Sequence, residues 1–408
     1  MMTIFTQTSS TRESKVALRT GIFLAALALP GTSACVQNEG PKTTETSEKA
    51  AQAVVANDAP PAAASNAAAE KAVAQPKIDR AAIRERAVQM FGSVSPGTST
   101  ENAALDEARV ELGRALYYDK RLSKGQDISC NTCHDLGAYG VDIREEGGAR
   151  LKTSKGHKGA AGTRNSPTVY GAFAHAIQFW DGRAKDVEEQ AKGPVLNPVE
   201  MAMKDDVDVT KVLQSIPGYA PLFKKAFPED KHPVSFENAA QAIGAFERKL
   251  VTPSPFDAFL AGKLDALTDE QVEGLETFVN VGCTTCHMGP SVGGAFMQKL
   301  GLMKPWPTKD GGRFEVTKND ADKFFFKTPS LRNIEKTGPY LHDGSIATLP
   351  EAVAMMAEHQ TPGGAISPDK VEKIVSFLDG LTGQIDEDLI KEPALPQSGK
   401  KTPKPSRG

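Results

Sequence analysis

Two five-residue stretches of this chain carry the residue types for one and the same chemistry. The first reads Cys130-Asn-Thr-Cys133-His134 and the second Cys283-Thr-Thr-Cys286-His287. Cys-x-x-Cys-His is the attachment signature of c-type haem. Two thiols one short turn apart can each add to a vinyl group of a single porphyrin. The histidine follows directly, so its imidazole falls under the ring and ligates the iron. Cys-x-x-Cys alone also serves zinc knuckles and thioredoxin-like redox pairs. Zinc would need the two pairs to converge on one metal and would leave both histidines unexplained. A redox pair is normally single and opens a helix after a strand.

The elements that must position these motifs are helical. Leu105, Ala108, Leu112 and Leu116 recur at helical spacing ahead of the first motif. Ahead of the second, Thr268-Asp-Glu-Gln271 reads as a capping box, and Val272, Leu275 and Val279 mark one apolar face. A last helix starts at Ser367-Pro368, with Val371, Ile374, Val375 and Leu378 as a core-facing stripe. Alternating strand patterns are scarce. The expected fold is mainly α, with two cytochrome c-like haem domains in one chain, an internal duplication of the attachment unit. The expected organisation is an N-terminal haem domain over 79–253 and a C-terminal haem domain over 254–385, meeting near the Pro253–Pro255 cluster. A charged, Pro-rich surface tail over 386–408 completes it.

The totals agree. A chain of 408 residues accommodates two ordinary domains. The net charge of -3, with both signs spread along the chain, excludes the basic face of a nucleic-acid binder. Of five cysteines, four belong to the haem motifs and the fifth is Cys35, so the scaffold is not built on disulfides. Residues 1–35 read as an export signal: Arg12, Lys15 and Arg19 precede a short apolar run from Gly21 to Leu29, too short to span a bilayer. Gly31-Thr-Ser-Ala-Cys35 resembles a lipoprotein cleavage site, although Thr32 stands where such sites carry Leu. Lipidation of Cys35 is the preferred reading and plain cleavage near Ala34 the alternative. Either places the chain in the periplasm. Residues 36–78 are an Ala/Pro-rich disordered linker that would reach about 35 Å.

Each haem also needs a decision about its sixth iron ligand, which sets potential and reactivity. Beyond the two motif histidines the chain has His157, His175, His232, His342 and His359. His157 sits in a Gly/Lys-rich loop with little to anchor it, where a histidine can ligate iron in one state and swing away in another. No role is assigned to His175, His232 or His359. His342 precedes Asp-Gly and reads as structural, or as a support to the ligands, rather than as a ligand itself.

Four further runs carry a family resemblance. Arg164-Asn-Ser-Pro-Thr-Val169, Phe179-Trp-Asp-Gly-Arg183, Gln190-Ala-Lys-Gly-Pro194 and Pro339-Tyr-Leu-His342-Asp-Gly-Ser345 resemble, in order and spacing, the bacterial di-haem cytochrome c peroxidases. The likeness covers about residues 80–380. It implies that His134 is the proximal ligand of an N-terminal peroxidatic haem and His157 its displaceable distal ligand. It implies Glu200 as the catalytic acid/base, Gln190 as the amide beside it, and Trp180 as the tryptophan between the haems. His287 and Met356 would ligate the C-terminal, electron-receiving haem, with the adjacent Met355 as the alternative to Met356. Related methylamine-utilisation enzymes, which oxidise a precursor protein, carry Tyr at that axial place. The resemblance further implies a calcium ion at Asn165, Thr337 and Pro339, a homodimer, and a small cytochrome c or cupredoxin as electron donor. Calcium's preference for oxygen ligands suits those three positions.

The expected activity is reduction of hydrogen peroxide to water. It consumes two electrons and two protons, which suits a chain that holds two one-electron centres. Glu200, with an ordinary carboxyl pKa of about 4.3, is expected to be ionised at neutral pH and to move a proton between the peroxide oxygens. The alternative is a di-haem electron-transfer protein without peroxidase chemistry, which needs only the two attachment motifs. A third reading is an oxidase that modifies another protein.

Overall fold

The structure is a computed structural model that describes residues 78–406. The export signal, Cys35 and the linker as far as residue 77 lie outside the described residues. The described chain is mainly helical: α1 (Arg80–Met90), α2 (Ala103–Tyr118), α3 (Cys130–Cys133), α4 (Val187–Leu196), α5 (Asp206–Gln214), α6 (Tyr219–Ala226), α7 (Phe236–Glu247), α8 (Pro255–Leu260), α9 (Asp269–Val281), α10 (Phe314–Thr317), α11 (Leu349–Gln360), α12 (Pro368–Asp379) and α13 (Glu387–Ile390). Two antiparallel ladders interrupt it. In one, β1 (Glu145–Glu146) pairs with β2 (Ala149–Arg150). In the other, β3 (Met297–Lys299) pairs with β4 (Phe325–Lys327), setting Met297 opposite Lys327.

Local chemistry sets the helix starts. Asn102 opens α2 by accepting from the N–H groups of Ala104 and Leu105. Thr268 and Gln271 form the capping box of α9, and Thr348 with Glu351 does the same for α11. At its other end α9 stops at Gly282, whose φ of 94° lies in the left-handed region that a side chain disfavours. The second attachment motif begins one residue later, so this stop aims the motif.

Burial then organises the helices around two apolar cores. One gathers Leu112, Leu116, Leu213, Phe223, Ile243 and Phe246 from α2 and α5–α7. The other gathers Phe256, Phe259, Leu275, Phe278, Ile374 and Phe377 from α8, α9 and α12. Burying one such side chain stabilises the fold by about 1.5–3 kcal/mol. The apolar stripes of α9 and α12 are shifted slightly from expectation. Phe278 and Phe377 are buried, whereas Val279 and Val375 only pack against the core from its edge.

The same packing device occurs in both cores. On α2, a Cβ at Gly113 would lie 1.8 Å from the Ala242 carbonyl oxygen of α7. On α9, a Cβ at Gly274 would lie 2.0 Å from the Lys373 carbonyl oxygen of α12. Each helix that leads into an attachment motif therefore meets its partner backbone to backbone. The chain termini cross this pattern. Ile83, Ala87 and Phe91 of α1 pack into the second core, whereas Ile390 of α13 is buried in the first. Residues 386–406 are mostly exposed, but the segment is tied down: the Tyr118 hydroxyl donates to the Ile390 carbonyl, and the Ser406 N–H donates to the Lys124 carbonyl at 2.9 Å.

Candidate functional site

Each attachment motif opens onto its own cavity. The N-terminal cavity, about 970 Å³, is lined by Cys130, Cys133 and His134, and by Trp180, Gln190 and Glu200. The C-terminal cavity, about 300 Å³, is lined by Cys283, Cys286 and His287, and by Val353, Met356 and Leu378. Asn165, Pro167, Thr168, Trp180, Lys327 and His342 line both, so the cavities share a wall.

The motif residues fit covalent haem. None of the four motif cysteines is in a disulfide. The two imidazoles are held alike. His134 Nδ1 lies 3.2 Å from the Gly140 carbonyl and His287 Nδ1 lies 3.2 Å from the Val292 carbonyl. A ring nitrogen that donates to a carbonyl fixes the tautomer and leaves Nε2 as the free ligand atom. Burial lowers the pKa of both rings, that of His287 to about 4, so both are neutral and ready to ligate.

Glu200 is carried by the tight turn that follows α4. Its N–H donates to the Asn197 carbonyl at 3.0 Å, and its Oε1 accepts from the Asn197 side-chain amide at 2.8 Å. Burial pushes the Glu200 carboxyl above the usual carboxylate range, against the opposing pull of the Arg183 guanidinium and the Asn197 amide. This corrects the sequence-based expectation of an ordinary carboxyl at this position. Arg183 is itself anchored: its guanidinium lies over the Phe179 ring at 3.4 Å and bonds Asp181 at 2.9 Å. Gln190, on α4, lines the same cavity as Glu200.

His157 lies on a short turn packed against the turn that carries Glu200. Its N–H donates to the carbonyls of Val199 at 3.0 Å and Glu200 at 2.7 Å. Its ring is buried, with Nε2 unpartnered among the described residues. Gly156 and Ala161 line the N-terminal cavity, whereas His157 stands outside the lining. Trp180 donates from Nε1 to the Asn165 carbonyl at 2.9 Å, fixing the indole in the shared wall. On α11, Met356 lines the C-terminal cavity and Met355 packs in the core beside it.

Asn165, Thr337 and Pro339 all line the C-terminal cavity. The Asn165 amide nitrogen donates to the Lys152 carbonyl at 3.0 Å, which leaves its oxygen for a cation. His342 stacks on Phe326 with ring centroids 4.2 Å apart, and its Nε2 lies 3.1 Å from the Thr308 hydroxyl.

A family model described as di-haem cytochrome c peroxidase matches residues 107–265. The chain is 43% identical over 340 residues to the cytochrome c551 peroxidase of Pseudomonas aeruginosa, an alignment covering 82% of this chain and 95% of that one. The chain belongs to the di-haem cytochrome c peroxidase family. The cytochrome c551 peroxidase of Nitrosomonas europaea is 45% identical over 320 residues, covering 78% of this chain and 90% of its own. Among solved structures, a MauG-like protein associated with microbial copper homeostasis superposes with a TM-score of 0.61 at 26% identity, over 74% of this chain and 96% of that one. The structure adds two groups to this family site that sequence reasoning did not single out. Arg183 lay within a quoted run without a role, and Asn197 lay three residues before Glu200. The charge and the amide that act on Glu200 become visible only once the turn is folded.

Proposed function

We propose that this chain reduces hydrogen peroxide to water in the N-terminal cavity, using two electrons from a small periplasmic redox protein that reach it through the C-terminal cavity. The observation that carries this reading is the placement of Glu200 in the same cavity as His134, Cys130 and Cys133. A pure electron carrier needs no tuned carboxylate in its haem cavity. When bound, the two haems supply iron that stores and transfers single electrons. The protein's own groups do the rest. Glu200 takes a proton from one peroxide oxygen and returns it to the other, and Gln190 orients the substrate beside it. Arg183 and Asn197 oppose the upward push of burial on that carboxyl. Such acid–base help contributes about 10²–10⁴-fold.

His134 and His287 hold one haem each, with Cys130 and Cys133 or Cys283 and Cys286 as covalent anchors. Met356 completes the C-terminal centre and raises its potential. His157 serves as a displaceable ligand of the N-terminal centre. Trp180 bridges the two centres. The Asn165 side chain and the Thr337 and Pro339 carbonyls would hold a calcium ion, joining the shared wall to the rest of the C-terminal cavity. Leu302 and Met303, exposed and lining the C-terminal cavity, suit an apolar contact with the donor. Two haem domains that meet near residue 253, with α1 packed into the C-terminal core, lipidation of Cys35 and a homodimer complete the proposal.

The test is Glu200→Gln. Peroxide turnover should fall by about 10²–10⁴-fold while both haem spectra persist. Full turnover in that variant would remove Glu200 from the mechanism and leave electron transfer alone as the reading.

A further inference from the structure

One buried cation has no anion. Lys327, on β4, is 5% exposed and lines both cavities. Its only side-chain hydrogen bond among the described residues is to a neutral group, His175 Nδ1, at 2.9 Å. An ammonium offers three donors and no acceptor, so Nδ1 accepts and the His175 proton resides on Nε2. That Nε2–H is itself buried without a partner, in a ring that lines the C-terminal cavity. The ring is wedged in place: a Cβ at Gly294 would lie 2.3 Å from His175 Cδ2. The Lys327 backbone is fixed too, its N–H donating to the Trp180 carbonyl at 2.7 Å. Burial alone lowers the lysine pKa, to about 8, with no nearby carboxylate to oppose it. A desolvated ammonium of this kind is costly unless an anion meets it. Haem brings two propionate carboxylates into whichever cavity it fills.

We propose that Lys327 and His175 form an anion site that takes a propionate carboxylate of the haem in the C-terminal cavity. This rests on the reading that His287 holds a haem there. Lys327 donates to it from its remaining N–H groups, and His175, accepting at Nδ1, orients the ammonium. The fixed positive charge stabilises the reduced state of that haem, which carries one more negative charge than the oxidised state. The site lies in the wall that also holds Trp180, so it biases the electron toward the C-terminal centre beside the route to the other.

The experiment uses the full di-haem protein, with both haems counted by pyridine haemochrome. Spectroelectrochemical titration should show the His287 haem becoming harder to reduce in Lys327→Gln, by about tenfold in the reduction equilibrium, or about 59 mV for one electron. Lys327→Arg should stay near the wild-type midpoint, because the charge is kept. The propionate-bending band in resonance Raman should move in both variants, since the donor to the carboxylate has changed. Two loaded haems with an unmoved His287 midpoint in Lys327→Gln overturn the site. A shift confined to the His134 haem overturns its assignment to the C-terminal cofactor. If Lys327→Gln fails to accumulate, the Raman band of Lys327→Arg decides: a moved band supports the site and an unmoved one overturns it. Wild-type protein without a haem at His287 would instead sink the underlying two-haem reading.

Discussion

The two cavities are built from one plan and finished differently. In each, a helix with a backbone-contact glycine, Gly113 or Gly274, leads to Cys-x-x-Cys-His, and the histidine Nδ1 lies 3.2 Å from a carbonyl of the loop that follows. The difference lies in what completes the walls. The N-terminal cavity receives the turn after α4, with Glu200 and its partners Asn197 and Arg183, and is about 970 Å³. The C-terminal cavity receives α11, with Met356 among Ala352, Val353 and Leu378, and is about 300 Å³. A duplicated unit thus specifies where a haem is held, and the segments added to it specify what the haem can do. A roomy cavity with an ionisable group suits a substrate that exchanges protons. A small apolar one suits a centre that only passes charge.

The largest effect that should break this contrast is at Gly156. A Cβ there would lie 2.1 Å from the Val199 carbonyl oxygen and 2.6 Å from Glu200 Cα, so Gly156→Ala must displace the turn that carries the carboxyl. Misplacing a catalytic group by about 1 Å can cost about 10²-fold, so kcat for peroxide should fall on that scale while the C-terminal haem keeps its midpoint. An unchanged kcat would mean that the turn is not held by this contact.

Met356→His acts on the other side of the comparison. Exchanging a thioether for an imidazole lowers the potential of the His287 haem. A redox titration should show reduction weakened by about tenfold or more, with the His134 haem unmoved. If Met355→His gave that shift and Met356→His did not, the axial assignment would pass to the neighbouring residue.

Arg183→Met sharpens the contrast within the N-terminal cavity. The guanidinium opposes the upward push of burial on Glu200. Its loss raises the carboxyl pKa further, so the base form is reached only at higher pH. The acid limb of the kcat/KM profile for peroxide should therefore move upward. A limb that stays in place or moves down would show that Arg183 does not act on this carboxyl.

The smallest effect concerns stability. Glu247 closes α7 and lines the N-terminal cavity, and burial with Glu188 nearby pushes its carboxyl up to about 8. Folding therefore retains a proton that the unfolded chain, with a pKa of about 4.3, releases. The contribution is whole below the unfolded value and is lost as pH rises through about 8. Glu247→Gln should flatten the fall in Tm between pH 5 and 8. An equal fall in the variant would assign the slope to other groups.

Much of this protein was written in local pattern. The attachment motifs, the capping box at Thr268 and the stripe of Leu112 and Leu116 depend on residues a few positions apart, and periodicity exposes such relations directly. Glu200, Trp180 and Met356 were legible only through likeness to a family, because one carboxylate, one indole or one thioether has no spacing rule of its own. Tertiary structure alone decided the remainder. The charge of Arg183 acts on Glu200 from the far side of α4, Lys327 meets His175 from a strand far along the chain, and α1 and α13 pack into the cores of opposite halves. These relations arise from chain crossings that leave no mark on neighbouring residues. Burial, which sets the pKa of Glu200 and strands the charge of Lys327, is a property of the packed whole rather than of any stretch of sequence.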